Sequence, residues 1–291
     1  MSGVRFAPSP TGRFHLGNLR TAWISHWWAK KLKRPWVVRF EDIDRPRIIY
    51  GAQEQQLADM KALGLVPDVK IQQGLSHARH WRVFRAAIQD QKVYPCTCSR
   101  KEVQEALSGI ASAPHQPTPL YSGHCRDLKI ESLAVEKKVS VAWRFRSDVD
   151  KSGKNDFIVA RTVELDTSIE SFQPSYHWAC AVDDHDGRYD LLVRAWDLAD
   201  AAPQQRQIAA WLAANEGGVT RDIPIFHCAL IVQENDERLE KRTVGINLDE
   251  LANLGWPPAR LLEAFERSLD TSLEVEPGEQ HKRLKVSEIL Y

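Results

Sequence analysis

The stretch from Val4 to Phe40 constrains the fold more than any other part of the chain. Val4-Arg5-Phe6-Ala7 is a short, largely apolar run of the size of a buried strand, and it enters a loop containing Pro8, Pro10 and Gly12. From Leu16 onward, Leu19, Ala22, Trp23 and Trp27 recur at the spacing of one helix face. Pro35 ends that helix, and Trp36-Val37-Val38-Arg39-Phe40 reads as a second buried strand that closes on Glu41-Asp42-Ile43-Asp44. Strand, loop, helix and strand in that order is the unit from which open α/β sheets are built.

The pattern continues. Ala52 to Leu63 reads as a helix stopped at Gly64, and Ser76 stands where it can cap a helix with Trp81, Phe84, Ala87 and Ile88 as its apolar stripe. After Pro95 the character changes to Cys96-Thr97-Cys98, a Ser99-to-Glu102 capping box and a Pro/Ser/His-rich loop through Pro119, which marks an inserted module. Val139–Phe145 and Asp156–Ala160 are expected to give the insertion its own strands. Alternation resumes with strands at 191–194 and 225–232 around a helix carrying Ile208, Trp211 and Leu212. Asn247 to Glu250 looks like a capped helix start, Pro257-Pro258 precedes an amphipathic helix through Leu269, and the tail is expected to be helical and polar.

Composition excludes several classes of function. At 291 residues with ten tryptophans and 43% hydrophobic residues, the chain can bury a large core. No window of eighteen uninterrupted apolar residues occurs and the start, MSGVRF, lacks an apolar signal region, so the cytoplasm is the expected compartment and no membrane partner is expected. Lys+Arg and Asp+Glu balance at 39 each, so nucleic acid could be met only by a local patch. Five cysteines, an odd number, suggest reduced thiols or metal ligands rather than a disulfide framework.

In open α/β sheets ligands bind beyond the carboxyl ends of strands, where helix N-termini aim backbone N–H groups at anions. The Pro8–Asn18 loop lies at such a place, with hydroxyls from Ser9 and Thr11, close backbone approach at its glycines, and His15 at the helix start. Neither GxGxxG nor GxxxxGK[ST] is present, so this is neither a dinucleotide fingerprint nor a Walker loop. The plainer alternative is that His15 merely caps a helix and the prolines shape a turn.

Several motifs in order decide between these readings. Arg5-Phe6-Ala7-Pro8-Ser9-Pro10-Thr11-Gly12, then His15-Leu16-Gly17-Asn18, Glu41-Asp42-Ile43-Asp44, Tyr176, Val182-Asp183-Asp184-His185, Val193-Arg194 and Arg238-Leu239-Glu240-Lys241-Arg242 follow one another. This series resembles the glutamyl-type class I aminoacyl-tRNA synthetases, with His15–Asn18 in the place of their HIGH motif. Only about fifty residues follow Lys241, too few for a long anticodon-binding region, so the chain resembles the truncated branch of that family.

The resemblance implies an α/β, Rossmann-like catalytic domain in two halves, 1–95 and 176–232, split by a zinc-binding insertion, 96–175. It implies a lysine-loop and helical C-terminal subdomain, 233–291, with no anticodon-binding domain. The implied reaction is activation of L-glutamate by ATP with Mg2+ and transfer to queuosine in the anticodon of tRNA(Asp), by a monomer. His15 and Lys241 would be catalytic, and His15, Gly17, Asn18 and Lys241 would hold ATP. Arg5, Phe6, Ala7, Pro8, Ser9, Glu41, Tyr176 and Arg194 would hold glutamate, the guanidinium groups matching its carboxylates and Glu41 its ammonium.

Cys96-Thr97-Cys98 needs a second half to bind metal, and Tyr121-Ser122-Gly123-His124-Cys125 can supply it. Ligand chemistry alone nominates Cys125 with His124 or His115, whereas the resemblance implies Cys96, Cys98, Tyr121 and Cys125 around one structural zinc. Cys180 and Cys228 lie in apolar runs and are expected in the core. The basic clusters Lys30-Lys31-Lys33-Arg34 and His281-Lys282-Arg283-Lys285 could meet RNA phosphates, although such runs are commonly solvated helix ends.

Asn18, Arg238 and Glu240 depart from the family pattern, as does Ala195 after Arg194, where glycine is common. An acid at Glu240 would repel a triphosphate. Glu240 keeps open a paralogue that binds nucleotide or amino acid without turnover, although the retained Lys241, Arg5, Glu41, Tyr176 and Arg194 speak against it. A further alternative, a minimal glutamyl-tRNA synthetase charging an acceptor end, is one that length speaks against.

Overall fold

The structure, a computed structural model, describes residues 2–98, 121–128, 140–149, 152–237, 239, 246–270 and 283–291. In chain order the described strands and helices are β1 (Val4–Phe6), α1 (Leu16–Leu32), β2 (Trp36–Phe40), α2 (Ala52–Ala62), β3 (Val69–Gln72), α3 (His77–Gln89), β4 (Val93–Cys96), β5 (Ser140–Phe145), β6 (Phe157–Val163) and β7 (Gln173–Pro174). There follow α4 (Tyr176–Gly187), β8 (Leu191–Ala195), α5 (Ala202–Asn215), β9 (Ile225–Cys228), β10 (Leu230–Val232), α6 (Leu248–Asn253), α7 (Pro258–Arg267), β11 (Arg283–Lys285) and α8 (Val286–Leu290). Packing groups them into two compact units. The first comprises Met1–Leu75, Asp184–Ala202 and Arg221–Tyr291, and the second comprises Ser76–Asp183 and Pro203–Thr220.

The first unit is built on a five-stranded sheet in the order β3-β2-β1-β8-β9, with every pairing parallel. Strands covered on both faces read as near-continuous apolar runs, and that is why 4–7 and 36–40 were legible. Register sorts their side chains. Val4, Phe6, Trp36, Val38, Phe40, Val193 and Phe226 point to one face and join Leu16, Leu19, Ala22 and Trp23 of α1 in the larger core. Each such fully buried leucine or valine contributes roughly 2 kcal/mol of transfer free energy. Val37, Leu192 and Ile225 point the other way and form a smaller core with Tyr189 and Ala202.

α1 ends at Leu32 with Lys33 in the left-handed region (φ 52°), and its interior is tied to the sheet where Trp36 Nε1 donates to Ser25 Oγ at 2.8 Å. The chain order runs outward from β1 in one direction to β2 and β3, and in the other to β8 and β9. The β1/β8 boundary is therefore the topological switch point, the place where open sheets of this kind hold ligands.

The second unit carries a four-stranded antiparallel sheet, β4-β5-β6-β7, and its core gathers Phe84, Trp143, Phe145, Phe172, Trp178, Ile208 and Leu212. The insertion thus has its own strands, and α3 and β4 pack with it because Phe84 stacks on Phe172 with ring centroids 4.8 Å apart.

Some sequence expectations require correction. The run 225–232 is two strands rather than one: β9 belongs to the main sheet, while β10 pairs in parallel with β11 in a separate two-stranded sheet. No glycine or proline punctuates that run, so its break was not readable. The tail is not simply polar helix, since β11 and the buried Ile289 and Leu290 of α8 anchor it. Ser76 precedes α3 but its side chain makes no capping bond. Asn247 does cap α6, in a reciprocal box with Glu250 (3.2 and 3.0 Å), and Cys180 and Cys228 are buried as expected. The Ser99–Glu102 box, His115, Arg238, Glu240, Lys241, His281 and Lys282 lie outside the described residues.

Candidate active site

The register of the parallel sheet assembles a charged face. Arg5 of β1 aligns with Val37 of β2 and Leu192 of β8, so Arg39 and Arg194, each two residues further on, share its face one step closer to the carboxyl edge. Arg194 in turn aligns with His227 of β9, and its Nε lies 3.2 Å from His227 Nε2. The face is apolar at its amino end and cationic at its carboxyl end.

Buried cations require acidic partners. Asp184, in α4, supplies one: Arg5 donates from Nε and Nη2 to its two carboxylate oxygens at 3.2 and 2.6 Å, and Arg39 Nη1 donates to Oδ1 at 2.6 Å. Arg39 Nη2 also donates to Glu41 Oε1 at 3.2 Å, just past the end of β2. Burial alone would raise the Asp184 carboxyl, but the Arg39 and Arg5 guanidinium groups overcome it and hold the group below the ordinary carboxylate range. Among the described residues, these three arginines and two carboxylates sum to one net positive charge.

The loop beyond β1 is fixed at the same edge. Glu41 N–H donates to Pro8 O at 2.9 Å, and Gln56 Nε2 donates to the Ser9 and Gly12 carbonyls at 3.2 and 2.7 Å. At the start of α1, Gly17 N–H donates to His15 Nδ1 (3.1 Å) and His15 N–H donates to Asn18 Oδ1 (3.3 Å). His15 is a helix cap, as the plainer alternative had it. That role places the proton of a neutral imidazole on Nε2, leaving an N–H at the helix N-terminus where anions are favoured. Asn18 has a job that the family's histidine pattern did not suggest: it completes the cap.

Gly17 is where absence of a side chain matters, because a Cβ there would lie 3.0 Å from His15 Cε1 and 3.2 Å from Nδ1. Leu16 N–H donates to Ile246 O at 3.0 Å, and Leu239 is buried in the same core, so both described flanks of the segment bearing Lys241 rest on this unit.

Of the other expected residues, the Phe6 ring faces the opposite core, edge-on to Phe14 at 6.0 Å, so only its backbone belongs to the loop side. Tyr176 is the first residue of α4 and falls in the second unit. Ala195 has extended backbone (φ −72°), a conformation that does not require the family's glycine. In the first basic cluster, Lys31 sits over the Trp27 and Trp28 rings (4.6 and 4.9 Å) and Arg34 pairs with Asp190 (3.3 Å), so both are engaged within the fold.

In the second unit, the sulfurs of Cys96, Cys98 and Cys125 all lie within 4.8 Å of one another. Tyr121 Oη is 3.6 Å from Cys96 Sγ and accepts from Cys125 N–H at 2.7 Å. Sulfurs bound tetrahedrally at about 2.3 Å from one zinc stand roughly 3.8 Å apart, so this donor set is of the right size to hold a metal ion. His124, next in chain to Cys125, is not part of this tight group among the described residues. A hydrogen bond from the Cys125 thiol and the nearby Arg144 pull Cys96 down to about 4, whereas burial pushes the Tyr121 phenol up. The Arg144 guanidinium lies 3.7 Å over the Tyr121 ring.

Fold and site together define a class: an open parallel α/β protein with a cluster of buried charged side chains at the switch point of its sheet. Residues 3–276 match the family described as tRNA synthetases class I (E and Q), catalytic domain, and the chain belongs to that family of ligases. Such enzymes use ATP with Mg2+, an amino acid and a tRNA.

Among its relatives, the glutamyl-Q tRNA(Asp) synthetase of Nocardia farcinica is 32% identical over 91% of this chain and 84% of its own length. The protein of the same name from Burkholderia mallei is 31% identical over 93% and 89%. The glutamate–tRNA ligase of Bacillus pumilus is 30% identical over 89% of this chain, which spans 56% of that ligase. The crystal structure of glutamate–tRNA synthetase from Elizabethkingia anophelis shares the fold, with a TM-score of 0.65 at 18% identity, covering 98% of this chain and 68% of that one. Among the described residues no helix is long and apolar enough to cross a membrane.

Arg39, Asp184 and His227, to which sequence alone assigned no role, contact the expected residues Arg5, Glu41 and Arg194. The available signal was an arginine inside an otherwise apolar strand, Trp36–Phe40, which demands an acid somewhere.

Proposed function

We propose that this chain activates L-glutamate with ATP to glutamyl-adenylate and transfers the glutamyl group to queuosine in the anticodon of tRNA(Asp). The observation that carries the reading is the charge of the carboxyl-edge face: three arginines and two carboxylates, net +1, match an amino acid with two carboxylates and one ammonium, net −1. The names of the Nocardia and Burkholderia relatives support the acceptor.

In this reading Arg5 and Arg194 bind the glutamate carboxylates and Glu41 takes the ammonium. Ser9 and the Phe6–Pro8 backbone complete the pocket, and Tyr176 is assigned to glutamate by the family resemblance alone. The α-carboxylate oxygen attacks the α-phosphorus of ATP and pyrophosphate leaves. The queuosine nucleophile then attacks the glutamyl carbonyl and AMP leaves. His15, through Nε2–H, with Gly17, Asn18 and Lys241, neutralises the phosphate charge that develops, and Mg2+ accompanies the triphosphate. Cys96, Cys98, Tyr121 and Cys125 hold a structural zinc, which pins the insertion and supplies no chemistry. The catalytic halves are 1–95 and 176–232, the metal insertion is 96–175, and 233–291 carries the lysine loop.

Glutamate-dependent ATP–pyrophosphate exchange without tRNA is the test of activation. Labelled glutamate should then appear on tRNA(Asp) carrying queuosine and not on tRNA lacking it. Label on both alike would remove the queuosine assignment. Absence of exchange would favour the non-catalytic paralogue that Arg238 and Glu240 keep in view.

A further inference from the structure

Resting on that reading, we infer that Asp184, acting with Arg39, is the positioning residue of the amino-acid pocket. Neither side chain is needed to match a ligand group, since the carboxylates and the ammonium already have Arg5, Arg194 and Glu41. Yet the Asp184 carboxylate accepts three bonds, two from Arg5 at 3.2 and 2.6 Å and one from Arg39 at 2.6 Å. A bidentate grip on Nε and Nη2 fixes the plane of the Arg5 guanidinium and therefore the direction of its remaining edge.

Arg39 extends the constraint. It spans from Asp184 Oδ1 at 2.6 Å to Glu41 Oε1 at 3.2 Å, so the cation and the anion assigned to the two ends of the ligand are held through one relay. Arg39 is fully buried, and register places it between the strand of Arg5 and the edge where Glu41 leaves the sheet. Asp184 also sets the charge: without it the face would carry two net positives, a poorer match to an amino acid of charge −1.

The test is steady-state pyrophosphate exchange by the full chain, with Asp184→Asn, Arg39→Met and the double variant. Each single change should raise KM for glutamate about tenfold or more while leaving KM for ATP within about twofold, because the relay meets only the amino acid. Since both residues act through one relay, the double variant should cost about as much as the worse single change, not the product of the two.

Equal rises in both KM values, or multiplicative losses in the double variant, would reduce the relay to general support of the fold and overturn the inference. Unchanged KM for glutamate would overturn it outright. Should Asp184→Asn fail to accumulate as folded protein, Asp184→Glu keeps the charge and moves the carboxylate by one methylene, and the same selective rise is expected. Wild-type protein without glutamate-dependent exchange would instead refute the proposed function, so the two failures are distinct.

Discussion

Replacing Gly17 by alanine separates the role of His15 as a cap from its role at the ligand. The new Cβ would lie 3.0 and 3.2 Å from Cε1 and Nδ1 of the imidazole, closer than such contacts normally come. The ring must give way by a few tenths of an ångström, and the 3.1 Å bond from Gly17 N–H to Nδ1 is what holds it. Losing that bond costs about 1 kcal/mol of cap stability. Alanine at a helical position returns about 1 kcal/mol of propensity over glycine. The two nearly cancel, so the melting temperature of Gly17→Ala should stay within a few degrees of wild type.

Activity has no such compensation. An Nε2–H donor displaced from a developing phosphate charge costs about 2–3 kcal/mol, or roughly 30- to 150-fold in kcat. Thermal melting combined with glutamate-dependent pyrophosphate exchange reads both quantities on one preparation. A variant that melts like wild type and exchanges at the wild-type rate would refute the reasoning, because His15 would then not need its cap to act.

Two further outcomes are expected. Cys98→Ser should lower bound zinc from about one ion per chain to near none, by metal analysis after dialysis, since it removes one of the clustered thiolates. Asp184 provides a pH signature: its native carboxyl lies below the ordinary value of 3.8, so its contribution to stability is complete above that value and is lost as pH falls through the lower native one. The difference in urea midpoint between wild type and Asp184→Asn should therefore be large at pH 7 and shrink below about pH 3.8; a difference that does not change with pH would refute the pairing.

Local pattern carried much of this. The strand–loop–helix–strand start was legible because apolar runs, prolines and helical spacing are local signals. Arg5, Glu41 and Arg194 could be chosen because their motifs stand in a family's order. What pairs them could not be read: Arg39 needed the register of β1 against β2, and Asp184 meets Arg5 across 179 positions of sequence. The split of 225–232 between two sheets was hidden for the same reason, since an apolar run does not record which neighbour it joins. The cysteine group was legible by spacing, whereas the choice between Tyr121 and a histidine depended on where the chain folds back.

The bond from Leu16 to Ile246, and the grip of Arg20 on Ser268 at a separation of 248 residues, have a consequence for biosynthesis. The α1 helix is completed by residues made more than two hundred positions later. Until then the buried Arg20 lacks the Ser268 hydroxyl and carbonyl that it grips, and the start of the helix lacks its bond to Ile246. Such long-range closure slows folding, so the start of this helix is completed late.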